Sequence, residues 1–452
     1  MSKARGCGVA AMAMVLFCGL GGWGLLSFST RSAQAELQAE LARSTKLGLP
    51  PKMTDLWPAP KNPSQNAALT YTRLSRGGTF SKAREAVGKV GYPETAADIR
   101  AIDAGLALAE PEFSEFVRAA ALPECRFQRK PSIDVLFPEF AVTKAGVNLL
   151  AFRARNEAAK GDPVRGMRTL ALAANVSKQI GQESVLIAKL VQIAEQAIVI
   201  RAAQEVLADH GRRADVRAEA RKMLAALGPD PNMREGMKGE WMFQREAPRA
   251  LETGKLDLND LAKMASGAAS PGSVSGAASK WNEVKFVVAM KTKAGRVRQE
   301  LNATRTFLDY YQAIPSDPTL VEPARKASKD LQDKLDTGGS DMVLAQILMP
   351  VFSQANDAAA KGAIERRLFT ALLNALDAPV PPKKLPLKGN MAIDPFDMIH
   401  GTPYRYRATK KEIRIWSVGQ DGSDDGGPLD SSDRNRDITI AWPYPKSVAS
   451  KR

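Results

Sequence analysis

Residues 184–200 read SVLIAKLVQIAEQAIVI, and their periodicity sets the fold class of the chain. Leu186, Leu190, Ile193, Ala197 and Ile200 recur at steps of three and four, the spacing that gathers side chains on one face of an α-helix. Upstream, Asp162-Pro163 has the form of an N-cap followed by proline at the first helical position, where a missing N–H does no harm. It opens a segment carrying Met167, Leu170, Leu172 and Ala174, and Gly161, Gly181 and Gly211 fall near the ends of successive helical stretches. Residues 140–227 therefore predict a run of helical hairpins. No fixed-period consensus separates a TPR-like array from an irregular bundle, and both readings stay open.

Helical patterning extends outward from there, from Asn66 to about residue 378. Pro111, Pro123, Pro131 and Pro138 predict irregular connections over 110–140, and SGAASPGSVSGAAS at 266–279 predicts a flexible loop. Helices are expected again over 280–312, 317–336 and 340–378. The apolar run MVLAQILMPVF at 342–352 is too short to span a bilayer and reads as a buried helix kinked or ended at Pro350. The expected class is mainly α: an N-terminal transmembrane helix, a helical-hairpin body (TPR-like or irregular bundle) and a small C-terminal antiparallel β segment. In chain order this gives a signal-anchor over 1–30 and, over 31–65, a helical stalk followed by a proline-rich linker. A helical domain over 66–265, the loop at 266–279 and a helical continuation over 280–378 follow, with a β segment and tail over 379–452.

Lys3 and Arg5 precede a stretch without charge from Gly6 to Phe28. As a helix rising about 1.5 Å per residue, it is long enough for a hydrocarbon core of roughly 30 Å. The expectation is a single-pass anchor in the inner (cytoplasmic) membrane with the body extracytoplasmic. Ala33-Gln34-Ala35 offers a cleavage site that would release the body as a secreted protein. The formal net charge of +15 admits nucleic acid, anionic headgroups or an acidic envelope polymer as partners. The basic residues are spread along the chain, however, and the 6% of aromatics do not alternate with them, so nucleic acid is not expected. Cys7 and Cys18 lie in the apolar segment, leaving Cys125 alone in the body with no intramolecular disulfide. With His210 and His400 as the only histidines, a multi-histidine zinc site or a His-dependent triad is not expected.

After Pro379-Val380-Pro381-Pro382 the period changes from helical to alternating. Tyr404–Arg407, Glu412–Val418 and Asp437–Trp442 read as short strands separated by Gly/Asp turns, a small antiparallel sheet. The order Asp394-Pro395-Phe396, Gly401-Thr402-Pro403-Tyr404-Arg405-Tyr406, Ile415-Trp416-Ser417-Val418-Gly419-Gln420-Asp421-Gly422 and Asp437-Ile438, ending at Trp442, resembles the C-terminal sheet of type II secretion major pseudopilins. Asp397 to His400 are inserted relative to that pattern, and the N-terminus lacks the family's prepilin cleavage sequence and the Glu in its apolar helix. The resemblance implies a calcium-binding loop between the last strands, with Asp421 and Asp437 best matching the ligands and Asp424, Asp430 and Asp433 looser candidates. Independently, calcium takes six to eight oxygens, and 421–437 interleaves these carboxylates with Gly422, Gly426 and Gly427. The alternative is a solvated acidic turn balanced by Arg434 and Arg436.

Elsewhere, Glu235, Glu240 and Glu246 among basic residues predict a solvated ion-pair surface, and His210 before Gly211 suits a helix C-terminus. Arg212, Arg213, Arg217, Arg221 and Lys222 form a basic run, read as an exposed face or an anion surface. No P-loop, no GxGxxG after a strand, no GxSxG and no HExxH occurs. The leading expectation is a non-enzymatic, membrane-anchored helical scaffold that binds a protein partner, with no small-molecule substrate assigned. The rivals are an ancillary component of a pseudopilin-type secretion apparatus and an enzyme acting on envelope polymers.

Overall fold

The computed structural model describes residues 30–88, 90, 94–132, 135–254, 290, 292–349, 352–397, 401–429 and 437–444. The apolar stretch 6–28, the loop 266–279, Pro350, His400, Asp430, Asp433, Arg434 and Arg436 lie outside the described residues. Among the described residues, no helix is long and apolar enough to cross a membrane.

The protein is mainly helical, with a three-stranded antiparallel sheet at its C-terminal end. The chain divides into two units: one of Met1–Pro51, Trp241–Ile314 and Lys326–Phe352, the other of Lys52–Glu240, Pro315–Arg325 and Ser353–Arg452.

In the first unit, helix α1 covers residues 30–46, where a polar stalk is expected. It is helical, but it is not free-standing. Arg305 of the helix Lys293–Ala313 donates to Glu36 and Glu40, each at 3.0 Å, and Arg43 reaches Asp309 at 2.8 Å. Such exposed pairs hold register more than they stabilise. The apolar content is supplied by Trp241, Phe307 and Phe352, with ring centroids 5.5 and 6.2 Å apart along that series. Trp241 also donates its indole N–H to Pro50 O at 3.2 Å.

The second unit begins where a stiff proline-rich linker is expected and turns twice instead, as 3₁₀ helices at Met53–Leu56 and Pro63–Gln65. Met53, Leu56 and Trp57 are buried there, and Trp57 donates to Glu183 at 3.1 Å. Four helices follow: α2 (Ala68–Leu74), α3 (Thr79–Val87), α4 (Ala96–Ala109) and α5 (Glu112–Ala120). The last is a helix in a region read as irregular, because its proline precedes the first turn, where proline is tolerated. Tyr71, Phe80, Phe113 and Phe116 form one aromatic cluster, with neighbouring centroids 5.2–6.3 Å apart.

The stretch read as a run of helical hairpins forms the helices α6 (Pro138–Ala159), α7 (Pro163–Ile180), α8 (Leu186–His210) and α9 (Ala214–Ala226). Asp162 caps α7 as its sequence requires, accepting Arg165 N–H at 3.0 Å. Helix α7 packs against α6, α8 and α9. The orientation of α8 departs from the sequence reading. Leu190, Ile193 and Ala197 are only half-buried, whereas Lys189, Gln192, Glu195 and Gln196 are fully buried. Helix α10 (Met233–Glu252) runs from the second unit into the first. Its Gly236 and Gly239 pass against the start of α8, and Gly239 donates to Ser184 O at 2.8 Å. Among the described residues the helices after it are α11 (Lys293–Ala313), α12 (Val321–Thr337), α13 (Val343–Leu348) and α14 (Phe352–Asp377).

Small residues set the helix spacing. A Cβ added at Gly166 on α7 would overlap the carbonyl of Ala154 on α6, whereas one at Gly362 on α14 meets Ile193 at an ordinary 3.5 Å. Gly→Ala inside a helix otherwise stabilises by about 1 kcal/mol. Gly362→Ala should therefore be neutral or stabilising in urea unfolding. Gly166→Ala should lose about 1–3 kcal/mol to overpacking.

Candidate metal site in the C-terminal sheet

Strands β1 (Arg405–Ala408), β2 (Ile413–Ser417) and β3 (Ile438–Trp442) form the sheet in that order. Arg405 faces Trp416, and Ser417 faces Ile438. Along β2 the alternation buries Ile413, Ile415 and Ser417 and leaves Arg414 and Trp416 on the more open face.

Asp394 organises the inner end. It is 0% exposed and accepts three hydrogen bonds, from Ser417 Oγ at 2.7 Å, Val418 N at 2.9 Å and Phe396 N at 3.1 Å. Burial pushes its carboxyl above the usual range, and these donors with nearby Arg405 pull the other way. Arg405 clamps two further carboxylates, Asp397 at 2.6 Å and Asp424 at 3.3 Å.

The acidic turn after β2 is tied down by backbone and indole donors. Asp421 accepts Ser423 N–H at 3.0 Å in an Asx-type turn. Asp424 accepts Trp416 Nε1–H at 2.8 Å and Gly426 N–H at 3.0 Å. Burial raises the Asp424 pKa, but Trp416, Gly426 and Arg405 outweigh it and hold the carboxyl below its usual value. Gly427 lies against the Trp416 ring with φ +68°, so no other residue fits there without strain. Asp437, just before β3, is 2% exposed, and its Oδ2 accepts Gly427 N–H at 2.7 Å and Asp425 N–H at 3.0 Å. Its Oδ1 is buried with no hydrogen-bond partner. Burial raises the Asp437 pKa, the two N–H donors lower it, and the charges of Asp424 and Asp425 raise it further.

Of the sequence candidates, Asp421 and Asp424 fall on the turn after β2, Asp437 meets that turn from just before β3 through Asp425 and Gly427 N–H, and Asp424 already has its oxygens engaged. No group of three or more His, Cys, Asp or Glu side chains among the described residues is disposed to hold a metal ion. The sequence reading missed Asp394, Asp397 and Arg405 as the internal clamp. An Asp before proline feeding a turn is the signal that pointed to it.

The sheet docks on helices of its own unit. Trp442 donates Nε1–H to Leu207 O at 2.8 Å, Arg212 lies over the Trp442 ring at 4.5 Å, and Arg212 donates to Lys410 O at 3.2 Å. Arg325 donates to Gln420 O at 2.9 Å and stacks over Phe396 at 5.3 Å. The basic run read as an exposed or anion-binding face is largely spent on such contacts. Arg217 and Arg221 both hold Asp377, Arg213 pairs with Asp215 and Lys222 with Glu219. His210 is the last residue of α8. Glu240 corrects the reading of a solvated acidic surface: it is half-buried and accepts Leu186 N–H at 3.3 Å, standing in for the side-chain cap that Val185 does not supply. Burial raises its pKa to about 7, with the Leu186 N–H opposing.

No family model, curated protein or solved structure matches the chain.

Asp394→Asn would place an amide donor or a weaker acceptor against Val418 N–H. It should cost about 1–3 kcal/mol in chemical denaturation, with loss of the near-ultraviolet signal of Trp416 and Trp442. A variant as stable as the parent would show that the three-donor clamp contributes nothing.

Proposed function

We propose that the protein is a non-enzymatic helical scaffold of the cell envelope, anchored by residues 6–28, which presents a cation-stabilised loop on a docked sheet to a protein partner. The observation that carries this reading is the buried, unpartnered Oδ1 of Asp437, whose other oxygen closes the acidic turn through Asp425 and Gly427 N–H. A buried carboxylate oxygen without a donor is costly. A divalent cation would relieve that cost and the mutual repulsion of Asp437, Asp424 and Asp425. Calcium fits such a donor set, being hard and tolerant of irregular oxygen geometry. Asp437 and Asp421, with turn carbonyls, would hold it, and Asp430 and Asp433 are the further candidates. Bound there, the ion would supply structural cross-linking and no bond chemistry.

The helical body fits a binding role because several of its buried charged groups are paired within it, as Arg129 is with Glu139 and Arg155 with Glu205. The buried carboxylates of Glu183 and Glu195 line neither of two surface grooves, one of 410 Å³ beside Glu36, Arg298 and Arg305, the other of 450 Å³ beside Leu385, Leu387 and Met391. A hairpin array or bundle of this kind offers long helical faces for protein contact. A second reading, an ancillary component of a pseudopilin-type apparatus, is favoured by the way Asp394, Tyr404, Ser417 and Asp437 of the resembling motif all turn inward.

Calcium titration of the purified protein by calorimetry, beside Asp437→Asn and Asp421→Ala, tests the proposal. Saturable binding that raises Tm and is lost in Asp437→Asn is expected. A folded parent that binds no calcium contradicts it.

A further inference from the structure

Helix α8 turns a polar stripe inward, and most of that stripe is satisfied. Lys189 donates to Gly181 O, Gln196 Nε2 to Leu227 O at 3.5 Å, and Glu205 pairs with Arg155 at 3.2 Å and Arg201 at 3.3 Å. Glu195 differs. It is 0% exposed, and neither of its carboxylate oxygens receives a hydrogen bond. The Thr143 hydroxyl beside it on α6 donates to Phe140 O at 3.2 Å; turned to the carboxylate it favours the charged form, and left on Phe140 it can accept from the neutral acid.

The groups facing Glu195 compensate a negative charge only in part: burial dominates, and the Thr143 hydroxyl and then Lys144 oppose it. From α6 the cation is Lys144, which favours ionisation only weakly against burial. Tyr71 of α2 and the buried Cys125 thiol each sense Glu195 as a like charge. From α7, Ser177 donates to Gln192 O and Gln179 donates to Ala119 O, and neither titrates. Glu219 of α9 is held by Lys222 and Arg168. Glu240 of α10 and Trp442 of β3 act at the two ends of α8, on Leu186 N and Leu207 O.

We propose that Glu195 is a proton-controlled lock in the α6–α7–α8 core: as the neutral acid it donates to Thr143 and keeps the helices closed, and its ionisation loosens them. The step is one proton lost from the Glu195 carboxyl to water, leaving an uncompensated charge in a packed interior. Burial, opposed by Thr143 and Lys144, carries this carboxyl from an ordinary 4.5 to about 8, and burial opposed by nearby donors and, for Glu183, by Arg129 carries Glu183 and Glu240 to about 7. The folded chain therefore keeps protons that the unfolded chain has released. Stability falls as pH rises from the ordinary carboxylate range to about 8. Lys189, lowered by burial to about 8, acts with the opposite sign above that pH.

Urea unfolding of the full-length protein in detergent, between pH 6 and 8.5, tests this against Glu195→Gln. Between pH 7 and 8 the Glu195 proton alone should raise the unfolding constant about fivefold. Glu195→Gln should remove that factor and leave the smaller contributions of Glu183 and Glu240. The same pH dependence in variant and parent overturns the proposal. Infrared spectra of the parent provide a readout that does not rely on the variant folding. A neutral-carboxyl carbonyl band at pH 7.5 that fades above pH 9 is expected, and its absence at pH 7.5 overturns the proposal.

Discussion

The interior contacts of helix α8 are the constraint around which the larger unit is arranged. Its polar stripe faces α6 and α7, so the interior there must supply partners for Lys189, Gln192, Gln196 and Glu205 as well as close packing. Buried polar groups without partners are more costly than apolar ones, and this explains the local detail: Ser177 reaching a helix carbonyl, Arg155 spent on Glu205, and a glycine at 181 against Gln192. At the far end of the same helix, Leu207 O and Arg212 receive Trp442, so the sheet is fixed to the helix whose packing is most demanding.

That attachment gives the C-terminal segment its character. Asp394 and Asp437 each use backbone N–H groups to close a turn, one at the inner end of β2 and the other ahead of β3. Both are buried, but Asp394 has all its demand met while Asp437 keeps one oxygen free. The asymmetry separates a purely structural carboxylate from one with capacity for a ligand. It rests on the same physical cost that makes Glu195 stand out in the helical body.

The three strands were legible to within a residue, because alternation and Gly/Asp turns are local signals. The helix boundaries there follow from Asp162-Pro163 and from glycines at helix ends. The face that α8 buries was not legible. Leu190 and Ile193 are apolar at helical spacing, but which side of a helix is covered depends on neighbours distant in sequence, and here both sides are partly covered. The proline-rich stretch misled for a related reason: Trp57 finds Glu183, a partner no local pattern reveals. In the candidate site, the carboxylates were visible as composition, but their division into clamped, turn-forming and free oxygens was not. That division depends on donors from Trp416, Arg405 and the backbone, which only the folded turn brings together.

With Trp442 seated on Leu207 O, the sheet and α8 should open as one cooperative body. Native-state hydrogen exchange along a denaturant gradient tests it most directly. The amides of 438–442 and those of the last two turns of α8 should open together, with the same free energy and the same denaturant dependence. A sheet that opens well below α8, with its own smaller dependence, would mean that the Trp442 contact does not couple them and would contradict the account.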